Sequence, residues 1–186
     1  MKKLIVICAL IVNACTAYSL VEPGKIDVGG AYFVTVDSAW SRSQHGHIHS
    51  LTKDGFAIQA LQLSTGVKEK EHLFTAPTQL EQPPYKSDLS LIELQQFIHD
   101  SFVASGAEKI SFSEIRPEPF GAAQGIRAEF DFHTKSGLHK RAIIAGAQND
   151  GKFYFILYHA PALYFFDKNR QDAEDIIRSV TFKKET

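Results

Sequence analysis

The segment His45-Gly46-His47-Ile48-His49 sets three imidazoles at alternate positions. Neutral imidazole is the commonest protein ligand for a transition metal, and two histidines spaced this way on a strand can share one zinc when a third ligand comes from elsewhere. If residues 45–51 form a strand, side chains alternate, so His45, His47 and His49 face one side while Gly46 and Ile48 face the other. A metal centre needs three or four convergent ligands, and no Glu or His follows at the spacing that such sites use. The other reading is the solvent-facing side of an edge strand with Ile48 turned to the core. The expectation is therefore no cofactor, with His45, His47 and His49 kept as candidate metal ligands.

Other chemistry is thinly supported. His72, His99, His133, His139 and His159 are dispersed through helix, strand ends and turns, and neither His99 nor His159 shows a catalytic partner in the sequence. No GxSxG or SxxK motif is present, although a dispersed triad is recognised by geometry and not by spacing. Gly121-Ala122-Ala123-Gln124-Gly125 lacks the GxGxxG pattern of a phosphate cradle and reads as a turn. Glu69 with Glu71, and Asp172 with Glu174 and Asp175, lie in charged, solvated stretches. Phe153, Tyr154, Phe155, Tyr158, Tyr164, Phe165 and Phe166 crowd one strand and the loop after it. Alternation gives Phe153, Phe155 and Leu157 to one face and Tyr154, Ile156 and Tyr158 to the other. This fits a central strand covered on both faces, or a partly open aromatic groove for a partner or ligand.

The elements that must position these residues follow from periodicity. Residues 31–36 (AYFVTV), 45–51 and 56–63 read as strands, the last two joined by the turn Lys53-Asp54-Gly55. Pro83-Pro84 breaks the chain, and residues 87–105 then place Leu91, Leu94, Ile98 and Phe102 at helical spacing, with Gly106 beyond the end. Residues 110–115, 125–133, 139–146 and 153–158 are four successive strands. Turn residues separate them: Pro117 and Pro119, Ser136-Gly137, and Asn149-Asp150-Gly151. Short connections predict an antiparallel meander. Residues 164–179 form a second amphipathic helix carrying Phe165, Ala173, Ile176 and Ile177. The order lacks regular βα alternation, which predicts an α+β fold: a mainly antiparallel sheet of about six to seven strands flanked by two helices.

The chain has 186 residues, 44% hydrophobic and 22% charged, with a formal charge of −1. That balance suits one globular domain with a single core, and it offers no cationic field for nucleic acid. The N-terminus differs. Met1-Lys2-Lys3 precedes an apolar run, residues 4–12, and then Asn13-Ala14-Cys15. This reads as an export signal, and the run is far short of the roughly 20 residues that span a bilayer. Small residues before Cys15 resemble the bacterial lipobox, which implies acylation of Cys15 and cleavage before it. The alternative is an ordinary secretory signal cut after Ala17. Acyl chains contribute about 0.8 kcal/mol per buried methylene, and several hold a protein stably on a membrane. With Cys8 discarded and Cys15 acylated, no thiol remains. The domains expected are a signal peptide over 1–14, a lipidated cysteine and tether over 15–30, and one globular domain over 31–186.

Trp40, Leu51-Thr52-Lys53-Asp54-Gly55, Pro119-Phe120, residues 125–130 (GIRAEF), and residues 151–161 (GKFYFILYHAP) resemble a group of uncharacterised bacterial envelope lipoproteins. The closing pattern, "YFILYHAP" followed by an aromatic-led helix ending in "IIRSVTF", is similar to the PsbP-like fold. The resemblance implies fold more than chemistry, because its motifs are turn and core residues. It also implies a non-catalytic docking or assembly role. Thr16 is not Asp, so by the same resemblance to envelope sorting signals the periplasmic face of the outer membrane is favoured.

The function expected is thus a membrane-anchored, periplasm-facing, non-catalytic domain that binds an envelope protein or component. A metal-binding lipoprotein using residues 45–49 and an envelope hydrolase with a dispersed site are the alternatives. For the partner, the long stretch over residues 67–86 offers Phe74 and Tyr85 as binding candidates, since long loops are often functional. Its apolar residues would equally pack back on the sheet.

Overall fold

The computed structural model describes residues 18–75 and 80–183. The meander is built from β7 (Glu108–Phe120), β8 (Ala123–His133), β9 (His139–Asn149) and β10 (Lys152–Pro161). Two-residue turns close two of its hairpins. In one, Asp150 (φ 49°) and Gly151 (φ 70°) adopt the left-handed conformations that match strand twist. The other is Gly121-Ala122, so the small-residue stretch is a turn and not a cradle.

The sheet continues past β10 through β6 (Ala60–Ser64), β5 (Ile48–Thr52), β4 (Trp40–His45) and β1 (Ser19–Val21). Its order is β1-β4-β5-β6-β10-β9-β8-β7, antiparallel throughout. A second, three-stranded antiparallel sheet holds β2 (Gly24–Val28), β3 (Tyr32–Val36) and β11 (Thr181–Phe182). The fold is α+β, as expected, but the described residues carry eight plus three strands instead of six to seven. The additional strands are short and, like β4 (WSRSQH), poor in apolar alternation, so pairing and not local propensity creates them.

Strands also reach into the stretch expected to be tether. β1 and β2 occupy residues 19–28, so the tether over 15–30 is not free along its length. Cys15 and the signal lie outside the described residues. Pro117 and Pro119, read as a break, sit inside β7. That strand is an edge, where a missing N–H costs no ladder bond. Conversely, β6 begins only at Ala60, because Ile58 and Gln59 donate to the Gly55 carbonyl in a tight turn.

Among the described residues two helices, α1 (Leu91–Ala104) and α2 (Phe165–Arg178), complete the fold. Ser90 and Glu93 form a reciprocal cap at the start of α1, satisfying two of its free amides. The central strand β10 separates two cores. Phe153, Phe155 and Leu157 meet Leu94, Phe97, Ile98 and Phe102 of α1. Tyr154, Ile156 and Tyr158 meet Phe166, Ala173, Ile176 and Ile177 of α2, together with Val28, Tyr32 and Val34 of the small sheet. The aromatic crowding of β10 is therefore that of a strand buried on both faces.

Candidate functional site

The histidine segment is not one strand. His45 ends β4 and pairs with Ile48 of β5, leaving Gly46-His47 as a two-residue turn. Gly46 has φ 57°, and a Cβ there would press on the Thr75 methyl at 2.8 Å, which explains the glycine. The imidazoles consequently diverge. His45 is exposed. His47 is half-buried, and its Nε2 reaches the Leu73 carbonyl at 3.3 Å. His49 is buried, with neither ring nitrogen partnered. Burial pushes the pKa of both His47 and His49 down, and Arg42 adds to the shift at His49. The expected one-sided row of ligands is overturned by the turn. Among the described residues no cluster of three His, Cys, Asp or Glu side chains is arranged to hold a metal.

The described parts of the stretch over 67–86, residues 67–75 and 80–86, are folded onto the α1 face. Val67 bridges to Phe153, and the Tyr85 and Lys70 amides bond the Glu71 and Tyr85 carbonyls. The Gln82 side chain bonds both the amide and the carbonyl of Phe74. Tyr85 is fully buried, its ring 5.7 Å from Phe97 and its hydroxyl donating to Gln148 at 2.9 Å. Burial raises its pKa to about 12. A side chain so enclosed cannot serve as the partner contact expected of it; it is core, because its ring replaces water with Phe97 and Phe153. Phe74 is half-buried, edge-on to Phe102 at 5.1 Å.

The remaining candidates are occupied in structural roles. Glu69 accepts from the amide and hydroxyl of Ser87, Glu71 from the Lys68 amide, and Asp172 from Lys53. His99 pairs with Asp100 at 2.9 Å, and His139 pairs with Asp131 at 2.7 Å while stacking on His133. Among the described residues none of the histidine hydrogen bonds runs to a serine, threonine or cysteine.

Phe74 leads instead to a cavity of about 580 Å³ beyond the C-terminal end of α1. Phe74, Phe102, Phe132 and Leu157 supply apolar wall, and Gly106-Ala107 and residues 134–136 border it. Three polar side chains from adjacent strands of the main sheet line the same space: Gln62 of β6, His159 of β10 and Lys140 of β9. Lys140 is 9% exposed, and among the described residues it has no ion pair or hydrogen bond. Burial pushes its pKa down. Nδ1 of His159 and Oε1 of Gln62 are buried without partners. Desolvation first, then the charge of Lys140, hold the His159 pKa at about 3, so this imidazole is neutral near pH 7. Buried polar atoms are almost always satisfied. Two buried unsatisfied atoms and an enclosed lysine without an ion pair, around one cavity of ligand size, make it the candidate site.

A larger hollow of about 740 Å³ against α2 differs in kind. Its charges neutralise one another: Arg127 grips Glu174 at 2.6 and 2.9 Å, and Arg116 grips Glu118.

Lys140 and Gln62 escape a reading of the sequence. The available signal is the alternation in residues 139–146 (HKRAIIAG), which puts Lys140 on the same face as Ala142 and Ile144, a buried face. His159 is recognisable as a strand-end residue, but its neighbours are not.

No protein-family model matches the chain, and no curated protein matches it. Sixteen solved chains do match by structure. One is a protein from Bacteroides thetaiotaomicron VPI-5482, 11% identical, with a TM-score of 0.51 over 89% of this chain. This chain spans 50% of the length of that one. Another is cyanobacterial PsbP (CyanoP) from Synechocystis sp. PCC 6803, 10% identical, with a TM-score of 0.56 over 96% of this chain and 98% of that one. At such identities the likeness establishes the fold: an α+β, PsbP-like domain. Function must come from the site itself.

Proposed function

We propose that this chain is a lipid-anchored binding domain of the bacterial cell envelope, facing the periplasm, that holds an envelope component without transforming it. The observation that carries the binding reading is the cavity at the end of α1, where Lys140, His159 and Gln62 present unpartnered polar groups within an apolar wall. Groups left unsatisfied in a folded protein cost stability, and a bound molecule that pairs with them restores it.

Anchoring rests on the signal and on Cys15. Folding begins soon after that cysteine, since β1 starts at Ser19. Four residue steps reach at most about 14 Å, so an acylated Cys15 would hold the sheet against the bilayer. Tyr18, stacked on Phe56 at 5.4 Å, and Leu20 remain exposed beside that attachment point.

Two measurements test the two halves. Cys15→Ala should abolish labelling by a fatty-acid analogue; labelling that persists removes the anchor. Native mass spectrometry of the gently isolated chain should find a bound species that Ala107→Trp, which fills the cavity, displaces. An empty wild-type chain removes the binding reading.

A further inference from the structure

Resting on that reading of the cavity, we infer that its ligand is an amphipathic monocarboxylate: an alkyl or aromatic body against Phe74, Phe102 and Phe132, with the carboxylate on Lys140. The sign of the ligand follows from the wall. Its lining contains no Asp or Glu, and Lys140 has no counter-charge among the described residues. Lys140 is mostly enclosed, so its ammonium keeps only part of its hydration, and an anion in the cavity would offset that loss.

The number of charges follows from the same inventory. A phosphate dianion is usually met by several backbone N–H groups together with arginine or lysine side chains, and this wall has no arginine and a single enclosed lysine. Its polar lining is the enclosed Lys140 with His159 and Gln62, while Ser105, Thr134, Ser136 and the exposed Lys135 lie at the border. The Lys140 ammonium and the Gln62 amide N–H are donors suited to the two oxygens of a carboxylate, which together accept about four hydrogen bonds, whereas the unpartnered Gln62 Oε1 is itself an acceptor and stays outside that pairing. His159 stays uncharged, so it adds a hydrogen bond without a second charge to neutralise.

Rigidity supports the assignment. Lys140 sits on an inner strand, opposite Phe132 on one side and Pro161 on the other, and His159 lies on the neighbouring strand opposite Ala142. Both therefore project onto one face and are held there before any ligand arrives, which limits the entropy lost on binding. A cavity of about 580 Å³ is within the range that small organic ligands occupy.

The test uses the chain from residue 16 onward, because both cores close within residues 18–183. Decanoate, methyl decanoate and decan-1-ol are titrated calorimetrically near neutral pH. One decanoate should bind per chain, at least about tenfold more tightly than either neutral analogue, a gap of about 1.4 kcal/mol. Lys140→Met should lose that preference while keeping its affinity for decan-1-ol, and Lys140→Arg should retain it; circular dichroism verifies folding of both. The comparison of decanoate with its methyl ester needs no variant and stands even if a substitution misfolds. Three results would overturn the inference: no saturable decanoate binding, equal affinity for ester and acid, or undiminished acid preference in folded Lys140→Met. A bound species from the native chain that lacks a carboxylate would also overturn it, while leaving the binding reading intact.

Discussion

The two faces of the main sheet treat buried charge in opposite ways. On the α2 face, Arg127 is 3% exposed and makes a two-pronged pair with Glu174. Glu129 is 7% exposed and is held by Arg141 at 2.6 Å and Arg170 at 2.7 Å. The Arg141 guanidinium also lies 4.2 Å from the Phe166 ring, so charge and packing lock α2 to the sheet together. On the α1 face, Lys140 is equally enclosed and has no such partner among the described residues. A charge that serves architecture is paired within the chain, whereas an unpaired one is open to a partner from outside.

Breaking the paired side should have the largest effect. Arg127→Met removes the two-pronged partner of Glu174 on α2, leaving it only the longer contact to Arg170 at 3.7 Å, and losing one member of a buried pair costs about 3 kcal/mol. Urea denaturation checks this, and a loss below about 1 kcal/mol would mean the pair is structurally idle.

Next in size is a pH effect weighted to the α1 face. His159 is neutral when folded, with a pKa of about 3 against the usual 6.5, so the unfolded chain binds the extra proton. Stability is therefore full above about pH 6.5 and falls as the pH drops toward 3, by at most about 1.4 kcal/mol per unit. The lowered pKa values of His47 and His49 act in the same direction. Melting temperature measured between neutral pH and pH 5 should decline, and His159→Gln should flatten the decline; an unchanged slope in that variant would assign the effect elsewhere.

A smaller change of opposite sign is expected at Lys140. Replacing an unpaired, enclosed ammonium by a methionine of similar length should raise stability by about 1 kcal/mol in the ligand-free chain, as happens where function holds a strained group. A fall in melting temperature would show that the ammonium has a partner within the fold. Smallest of all is His45→Ala at the exposed hairpin tip, which should alter stability by no more than about 0.5 kcal/mol and leave it insensitive to added zinc. A zinc-dependent rise would revive a metal role for that hairpin.

How much of this was legible before folding depends on element length. The four meander strands and both helices announce themselves through sustained apolar periodicity, and their observed bounds differ from the expected ones by a few residues. The exception is β7, which continues through Pro117 and Pro119 because its outer edge is unpaired. The stretch His45 to His49 misleads for a local reason. Alternation in a sequence is the same whether the chain runs straight or reverses, and the reversal depends on Gly46 adopting a positive φ. Tyr85 misleads for a global one, since nothing near it in the sequence announces that Phe97 and Phe153 will enclose it.

What the sequence determined by itself is the class of fold and the positions of the longer elements; it left β10 open between a doubly covered strand and an aromatic groove. Those depend on composition and on periods of two and 3.6 residues, which are properties of neighbouring positions. The tertiary structure alone decided that the histidines part company, that Tyr85 is core, and that Gln62, Lys140 and His159 meet. These three residues are 78 and 19 positions apart along the chain, and they converge because β6, β10 and β9 are hydrogen-bonded neighbours. Whether a lysine on a strand finds a carboxylate is settled by the strand beside it and the helix above it, and no local pattern encodes either.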